Sequence, residues 1–163
     1  MYRVGIGQDS HRLKLKGRNK KMKKSLILGG VEIGQEYYLE ADSDGDVMIH
    51  ALCNALNTAI GYGSFDLYAR PMFARGIYDS KKYLKVALEM IRKKNYKINN
   101  VSFMVEAQKP KLENYREKIC WSLAKLLGIK KERIGIAFTS GENLTSFGKG
   151  RGIQVFCIVS LIK

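Results

Sequence analysis

The segment Asp42–His50, a loop that turns into a helix, constrains the fold of this chain more than any other. Its acidic, serine and glycine residues lead into apolar residues at helical spacing: Ile49, Leu52, Cys53, Leu56 and Ile60. Ser43 or Asp44 is the expected cap, and Asp46 lies in the first turn, where the helix dipole favours a carboxylate. Asp46 and His50, four residues apart, are expected on one helix face. The segment therefore predicts an imidazole beside a carboxylate-rich helix entrance, which suits a divalent metal and a bound anion.

The order of the remaining segments predicts a single α+β domain over residues 1–163. We expect a mixed four-stranded sheet plus a small hairpin, with helices packed on one face. Strands are expected at Tyr2–Gln8, Val101–Ala107, Ile134–Thr139 and Ile153–Ile162, the hairpin at Ser25–Ile33, and helices at Asp46–Gly61, Ser80–Lys94 and Leu112–Leu127. Ser80 is the expected cap of the second helix, Gly128 ends the third, and 62–79 is expected to be a loop.

The composition limits the classes of protein to which this chain can belong. With 163 residues and 45% hydrophobic content, the chain can form an ordinary globular core. It has no apolar run of about 20 residues, and Met1–Gly5 is not an apolar signal segment, so we expect a cytoplasmic protein without membrane contact. The three cysteines, Cys53, Cys120 and Cys157, lie among apolar residues and are expected to be reduced and buried.

The formal net charge is +14, and eight basic residues lie between Arg12 and Lys24. Such a block is typical of a solvated loop. It can also attract phosphorylated ligands or nucleic acid. Nucleic acid is not the expected partner, since the sequence has no zinc-finger pattern, RNA-binding aromatic motif or basic zipper.

Asp9, His11 and His50 form a candidate metal site. On a strand, alternate residues share a face, so Asp9 and His11 can point the same way. His50 is the only other histidine of the chain. Two histidines and one carboxylate with an open fourth position are the ligand set of a catalytic zinc ion. The alternative is a loop aspartate with two ordinary polar histidines.

Two further segments carry candidate phosphate-binding residues. Thr139–Glu142 follows an apolar strand, and its hydroxyls and amides can bind phosphate oxygens, while Glu142 can hold Mg²⁺ on a diphosphate. In Ala107–Leu112, Pro110 stiffens a strand-to-helix turn and Lys111 can meet a phosphate. The alternatives are a polar strand exit with a solvated glutamate and an exposed lysine.

Together these segments resemble the 2-C-methyl-D-erythritol 2,4-cyclodiphosphate synthase family. The resemblance covers nearly the whole chain, because six family landmarks occur in order. They are D-x-H, L-G-G-V-x-I, S-D-G-D-V-x-x-H-A-L, A-Q-x-P-K, T-x-x-E-x-L and G-x-G-x-G-I, found here at Asp9–His11, Leu28–Ile33, Ser43–Leu52, Ala107–Lys111, Thr139–Leu144 and Gly148–Ile153.

The resemblance implies a homotrimer with active sites between neighbouring subunits. It implies Zn²⁺ or another divalent transition metal on Asp9, His11 and His50, and Mg²⁺ or Mn²⁺ on Glu142 with the substrate phosphates. The implied reaction cyclises 4-diphosphocytidyl-2-C-methyl-D-erythritol 2-phosphate and releases CMP, so the chain would be a phosphorus-oxygen lyase of non-mevalonate isoprenoid biosynthesis. Asp42 and Ser140 occupy the implied catalytic positions. The implied substrate-binding residues are Asp9, His11, Asp42, Ser43, Ser64, Phe65, Asp66, Ala107, Lys111, Leu112, Phe138, Thr139, Ser140, Glu142 and Lys149.

The chain departs from the family in the residues that face the substrate. Asp42 stands where the family has a histidine that aligns phosphates, and Ser64-Phe65-Asp66 replaces the family's D-I-G. Leu67–Phe73 replaces the F-P-D-T-D loop, and Arg151 replaces an acid in the glycine-rich turn. These differences leave open a divergent homologue that keeps the metal and the trimer but binds another phosphorylated ligand or is catalytically impaired.

Overall fold

A computed structural model describes residues 1–17 and 24–163. The strands are β1 (Tyr2–Leu15), β2 (Leu26–Leu28), β3 (Val31–Gly34), β4 (Tyr37–Glu40), β5 (Lys97–Glu106), β6 (Ile134–Thr139) and β7 (Gly152–Ile162). The α-helices are α1 (Val47–Ala59), α2 (Asp66–Ala74), α3 (Ser80–Lys93) and α4 (Arg116–Leu127). Short 3₁₀ turns lie at Glu113–Tyr115, Lys131–Arg133 and Gly141–Asn143.

The strands form a mixed sheet in the order β4-β1-β7-β5-β6, and β2 and β3 form a separate hairpin. Only the β5–β6 pair is parallel among these neighbours. The predicted mixed sheet and hairpin are confirmed, but the sheet has five strands rather than four. The missed strand is β4, an edge strand of four residues in which only Leu39 is buried. Its sequence therefore lacks the alternation that identifies a half-buried strand.

Alternate residues of the sheet face the helices and form the core. On β7, Ile153, Val155, Cys157, Val159 and Leu161 are fully buried. Helix α1 lies against β1 and β7 on this face, and α3 packs on α1. The prediction that helices cover one face is confirmed, and all three cysteines are buried and free.

Helix α1 lies unusually close to β1 because β1 presents glycines to it. A Cβ atom on Gly5 would lie 2.0 Å from the Ala55 carbonyl oxygen, and one on Gly7 would lie 2.0 Å from the Ala51 carbonyl oxygen. These distances are far below van der Waals contact, so any side chain at either position would force the helix away from the sheet. The two glycines therefore set the distance between α1 and β1.

The opposite face of the sheet carries no helix in the described part of the chain. It exposes a set of large apolar side chains, which we call the open face: Tyr2, Val4, Ile6, Met104, Phe156 and Ile158. Cross-strand pairing makes this set continuous, since Ile6 pairs with Ile158 and Phe156 pairs with Met104. A contiguous apolar surface of this kind is typical of a protein–protein interface.

Several boundaries differ from the sequence-based expectation, and one is that β5 begins at Lys97, four residues before the predicted Val101. Strand β1 runs to Leu15, so Asp9 and His11 lie within it and not after it, because its pairing with β7 continues to Arg12 and Gly152. The expected loop at 62–79 contains α2, a short helix that buries only Ala69 and holds Pro71 in its interior. The expected third helix begins with a 3₁₀ turn and becomes α-helical at Arg116, and Gly128 ends it in the left-handed conformation, as predicted.

The expected helix caps are also corrected. Asp46 caps α1 through its side chain, which accepts a hydrogen bond from the Ile49 amide, whereas Ser43 and Asp44 were the predicted caps. Asp79 caps α3 by accepting from the Lys81 amide, which leaves the hydroxyl of the predicted cap, Ser80, for other contacts.

The basic block between Arg12 and Lys24 is partly within the described residues. Arg12 and Lys14 lie on β1, and the Lys24 ammonium donates to the Ala41 carbonyl oxygen at 2.5 Å. Residues 18–23 lie outside the described residues, so the expected solvated loop stays a prediction. Among the described residues, no helix combines the length and apolar character that crossing a membrane requires.

Replacing Gly7 by alanine is expected to destabilise the fold. The new methyl group meets backbone atoms of α1, which cannot move aside without shifting the helix, so we expect a loss of about 1–3 kcal/mol or more in the free energy of unfolding. Gly34→Ala is the matched control, since nothing lies within 4 Å of its added Cβ. Urea denaturation at one fixed protein concentration measures both variants. Equal stability of the two variants would contradict the close contact.

Candidate functional site

Asp9, His11 and His50 converge at one point between β1 and α1. The Nδ1 atom of His50 lies 2.9 Å from Oδ2 of Asp9, and Nε2 of His11 lies 3.0 Å from the same oxygen. The two imidazole nitrogens lie 3.2 Å apart. His50 is almost fully buried, whereas Asp9 and His11 are partly exposed. We call these residues the triad; the predicted cluster is therefore present.

The geometry of the triad fits a divalent metal ion. Ligands of a tetrahedral zinc ion lie about 3.3 Å from one another, given metal–ligand distances of about 2.0–2.2 Å. The three donor atoms of the triad are within a few tenths of an ångström of that spacing. The site has two imidazole donors and one carboxylate, and its fourth side faces a cavity. This donor set supports binding of a divalent metal ion with one position left for another ligand.

The electrostatics of Asp9 favour a bound cation. Burial alone would raise its pKa, but the hydrogen bonds and positive charge of His11 and His50 lower the pKa to about 2. Asp9 is therefore ionised at neutral pH. A divalent ion held by this carboxylate and two neutral imidazoles leaves a net charge of about +1, which attracts phosphate oxygens.

The cavity beside the triad has a volume of about 300 Å³. Of the predicted residues, it brings together Asp9, His11, Asp42, Ser43, His50, Ser64, Phe65 and Asp66. The Phe65 ring stacks on the His50 imidazole with 4.9 Å between ring centroids. Asn54 fixes this segment, because its Oδ1 accepts a hydrogen bond from the Phe65 amide. The altered segment 64–66 therefore remains a wall of the site.

Sequence reasoning missed six residues that line the same cavity: Ala41, Asn54, Ala69, Arg70, Phe73 and Tyr83. Three of them, Ala69, Arg70 and Phe73, lie on α2, so the missed helix explains their omission. Tyr83 lies on the buried face of α3, at 2% exposure. Besides the two histidines, Arg70 is the one basic side chain among the described residues of this lining, and its spacing of four residues from Asp66 was a signal that helical periodicity could have provided.

The Asp46 carboxylate is not hydrogen-bonded to the His50 imidazole, although the helical spacing predicted both on one face. Its two carboxylate oxygens accept hydrogen bonds from the amides of Gly29 and Gly30, at 2.9 and 2.6 Å, and from the Ile49 amide. Burial raises the pKa of Asp46 to about 6, against the opposing effect of these three donors. Asp46 therefore joins the β2–β3 turn to the start of α1 and has no direct part in the triad.

The remaining predicted residues lie elsewhere in the chain. We call them the nucleotide set: Ala107, Lys111, Leu112, Phe138, Thr139, Ser140, Glu142 and Lys149. They follow β5 and β6 or lie in the turn before β7, and none of them lines the cavity of the triad. Leu112 is buried, whereas Lys111, Glu142 and Lys149 are exposed. Glu142, a predicted metal ligand, is not among the residues of the metal-ligating cluster found in the described chain.

The sheet register separates the part of the nucleotide set on β6 from the triad. Ser10, between Asp9 and His11, pairs with Gln154, which pairs with Glu106, which pairs with Thr139. Thr139 and Ser10 thus lie on one cross-strand row, three strand spacings or about 14 Å apart. The two groups of residues are at the same end of the sheet but at different positions across its width.

The segment that carries Glu142 has an unusual backbone. Glu142 has φ 47° and Asn143 has φ 60°, in the left-handed region that non-glycine residues seldom adopt. The Ser140 hydroxyl donates to Oε1 of Glu142 at 2.9 Å. The Glu142 carboxylate is therefore exposed on a tight turn whose backbone conformation is unfavourable for this residue type. Residues held in strained backbone conformations are concentrated at functional sites.

Comparison with known proteins identifies the family. The profile of the YgbB family matches residues 2–162. The 2-C-methyl-D-erythritol 2,4-cyclodiphosphate synthase of Chlamydia muridarum is 40% identical over 168 residues, an alignment that covers 100% of this chain and 89% of that protein.

Two solved structures of proteins from Plasmodium species have the same fold. The CDP complex of IspF from Plasmodium falciparum is 31% identical, with a TM-score of 0.83, and the match covers 99% of this chain and 96% of that one. The 2C-methyl-D-erythritol 2,4-cyclodiphosphate synthase of Plasmodium vivax is 29% identical, with a TM-score of 0.84 and coverage of 100% and 99%. The full-length match, the fold and the triad agree, and this chain belongs to the YgbB family of 2-C-methyl-D-erythritol 2,4-cyclodiphosphate synthases.

Proposed function

We propose that the protein cyclises 4-diphosphocytidyl-2-C-methyl-D-erythritol 2-phosphate to 2-C-methyl-D-erythritol 2,4-cyclodiphosphate and releases CMP. An oxygen of the 2-phosphate attacks the β-phosphorus, the bond from that phosphorus to the bridging oxygen breaks, and CMP leaves with the bridging oxygen. The enzyme is then a phosphorus-oxygen lyase of non-mevalonate isoprenoid biosynthesis, formed by one domain over residues 1–163. The observation that carries the proposal is the intact triad in a chain that matches the family over its whole length.

The chemistry needs positioning and charge neutralisation and no protein nucleophile. A divalent ion on the triad, for which we propose Zn²⁺, supplies positive charge to the phosphate oxygens when bound. Ser43, Ser64 and Asp66 line the cavity where those phosphates would lie. We propose that Asp42 and Ser140 act in catalysis, and that Glu142 holds Mg²⁺ or Mn²⁺ together with the substrate.

We propose that Ala107, Lys111, Leu112 and the Phe138–Ser140 edge of the nucleotide set bind the cytidine half of the substrate. Ala107, Leu112 and Phe138 offer apolar surface, while Lys111 and Lys149 are exposed cations that can neutralise phosphate charge. Thr139 and Ser140 offer hydroxyl groups at the end of β6. The CDP ligand of the Plasmodium falciparum relative supports a cytidine diphosphate substrate.

We propose that the active site is completed by a second subunit in a homotrimer. In one chain Thr139, at the end of β6, lies about 14 Å from Ser10 between the two triad residues of β1, on the far side of β7 and β5. The open face provides a continuous apolar surface for contact with neighbouring subunits. A head-to-tail arrangement would bring the nucleotide set of one subunit beside the triad of the next.

The cytoplasmic location stays a prediction from the sequence.

The activity is tested by phosphorus NMR of the purified protein with Zn²⁺, Mg²⁺ and the methylerythritol substrate. We expect resonances of CMP and of the cyclic diphosphate to appear together, because one bond-forming step generates both. If zinc is bound and the oligomer is intact but neither product forms, the proposed reaction is wrong. Asp42 and the replaced segment 64–73 would then define a site for another phosphorylated ligand.

His50→Ala is expected to remove zinc and activity together while leaving the oligomer folded. The side chain supplies one of three metal-binding atoms, and no other histidine remains to replace it. Metal content by mass spectrometry and oligomeric mass by light scattering measure the two effects. Asp66→Asn is the matched control, since Asp66 lines the same cavity outside the triad and its variant should keep one zinc per chain. Stoichiometric zinc in His50→Ala would refute the assignment.

Mixed oligomers test whether the site is shared between subunits. His11→Ala and Glu142→Gln are each expected to be inactive alone. In trimers assembled from equal amounts of both, about one site in four combines an unaltered triad with an unaltered Glu142 from the neighbour. We therefore expect recovery of about a quarter of the wild-type activity. Absence of recovery in trimers verified to contain both variants would place the whole site within one chain.

A further inference from the structure

The second ring nitrogen of His50 has its own polar environment, which the proposed reaction does not use. Nε2 lies 2.8 Å from the hydroxyl oxygen of Ser80 and 3.2 Å from that of Ser43. Ser80 is fully buried, so its hydroxyl must find partners inside the protein. It is not needed as a helix cap, because Asp79 has that role in α3.

The Ser80 hydroxyl has a second partner, the carboxylate of Asp44, whose Oδ1 accepts its hydrogen. The same carboxylate accepts hydrogen bonds from two amides. The Ser80 amide donates to Oδ2 at 3.0 Å, and the Asp46 amide donates to Oδ1 at 3.1 Å. Both oxygens of Asp44 are therefore held as acceptors, and the direction of the hydroxyl bond is determined.

The direction of this bond selects the tautomer of His50. A serine hydroxyl has a single hydrogen, and here that hydrogen is donated to Asp44. The short contact between Ser80 and Nε2 is then a hydrogen bond only if Nε2 carries the hydrogen and donates it. In a neutral imidazole with a hydrogen on Nε2, the lone pair is on Nδ1, the atom that faces Asp9 and His11.

We propose that Ser80 and Asp44 are positioning residues that hold His50 in its Nε2–H tautomer and so present Nδ1 as a metal ligand. The proposal rests on the metal site proposed above. Partners of this kind orient metal-binding histidines and contribute strongly to metal affinity. Their location supports the role, because Asp44 precedes α1, Ser80 begins α3, and the Asp44 amide donates to the Tyr78 carbonyl oxygen at 2.9 Å. The two helix starts are thus joined around the imidazole.

The wild-type protein provides the first test, since the chain has only two histidines. Long-range proton–nitrogen NMR of the zinc-loaded protein, labelled with ¹⁵N-histidine, distinguishes the two nitrogens of each ring. We expect His50 with a hydrogen on Nε2 and zinc on Nδ1, and His11 with the opposite pattern, because its Nε2 faces the triad. Zinc bound to His50 through Nε2 would overturn the proposal. A wild-type protein that binds no zinc would overturn the metal site itself, and this inference with it.

Ser80→Ala provides the second test, with Ser102→Ala as its matched control on an exposed position of β5. Without the Ser80 hydroxyl, the Nε2–H tautomer of His50 is no longer fixed. We therefore expect zinc affinity, measured by competition with a chelator, to fall by about 10- to 100-fold. Unfolding of the zinc-free variants is measured beside it. A purely structural role would lower the zinc-free stability and leave the affinity of the folded protein unchanged, which would refute the positioning role. If Ser80→Ala does not fold, the wild-type spectrum decides.

Discussion

The close contact between α1 and β1 is the constraint on which the site depends. His50 is on the helix, while Asp9 and His11 are on the strand. Donor atoms about 3 Å apart across this junction require the two backbones to approach closely, and Gly5 and Gly7 permit that approach. A methyl group on either glycine would move His50 away from its partners. The glycines thus contribute to metal geometry without contacting the metal-binding atoms.

The same junction explains the role of Asp46, a buried carboxylate that does not belong to the triad. Asp46 binds the amides of Gly29 and Gly30 and caps α1, so it fixes where the helix begins along β1. The position of His50 along β1 follows from that starting point, one turn later. Asp44 and Asp46 of the acidic segment 42–46 therefore have separate structural tasks. Of the three aspartates in this segment, only Asp42 lines the cavity.

Much of this could be predicted from the sequence, and the failures have physical causes. Alternation identified the long buried strands, and helical spacing identified α1 and α3, because both elements bury a regular apolar face. Helix α2 was missed since it buries only Ala69 and contains Pro71, which disfavours a helix interior. Residue type and spacing made the triad a candidate metal site but left ordinary polar histidines as an alternative, and the family resemblance favoured the metal site. The role of Ser80 could not be predicted, because a serine before a helical pattern indicates a cap and its contact with His50 spans 30 positions of the chain.

The open face also affects how long a chain survives before it assembles. In the homotrimer proposed above, each newly synthesised chain would expose aromatic and aliphatic side chains across β1, β5 and β7 until it meets other copies. The rate at which chains meet depends on their concentration, so subunits at low concentration keep this apolar surface exposed to water, and prone to aggregation, for longer. Quality control by chaperones and proteases competes with association during that interval. The abundance of active enzyme should then rise more steeply than the rate of its synthesis.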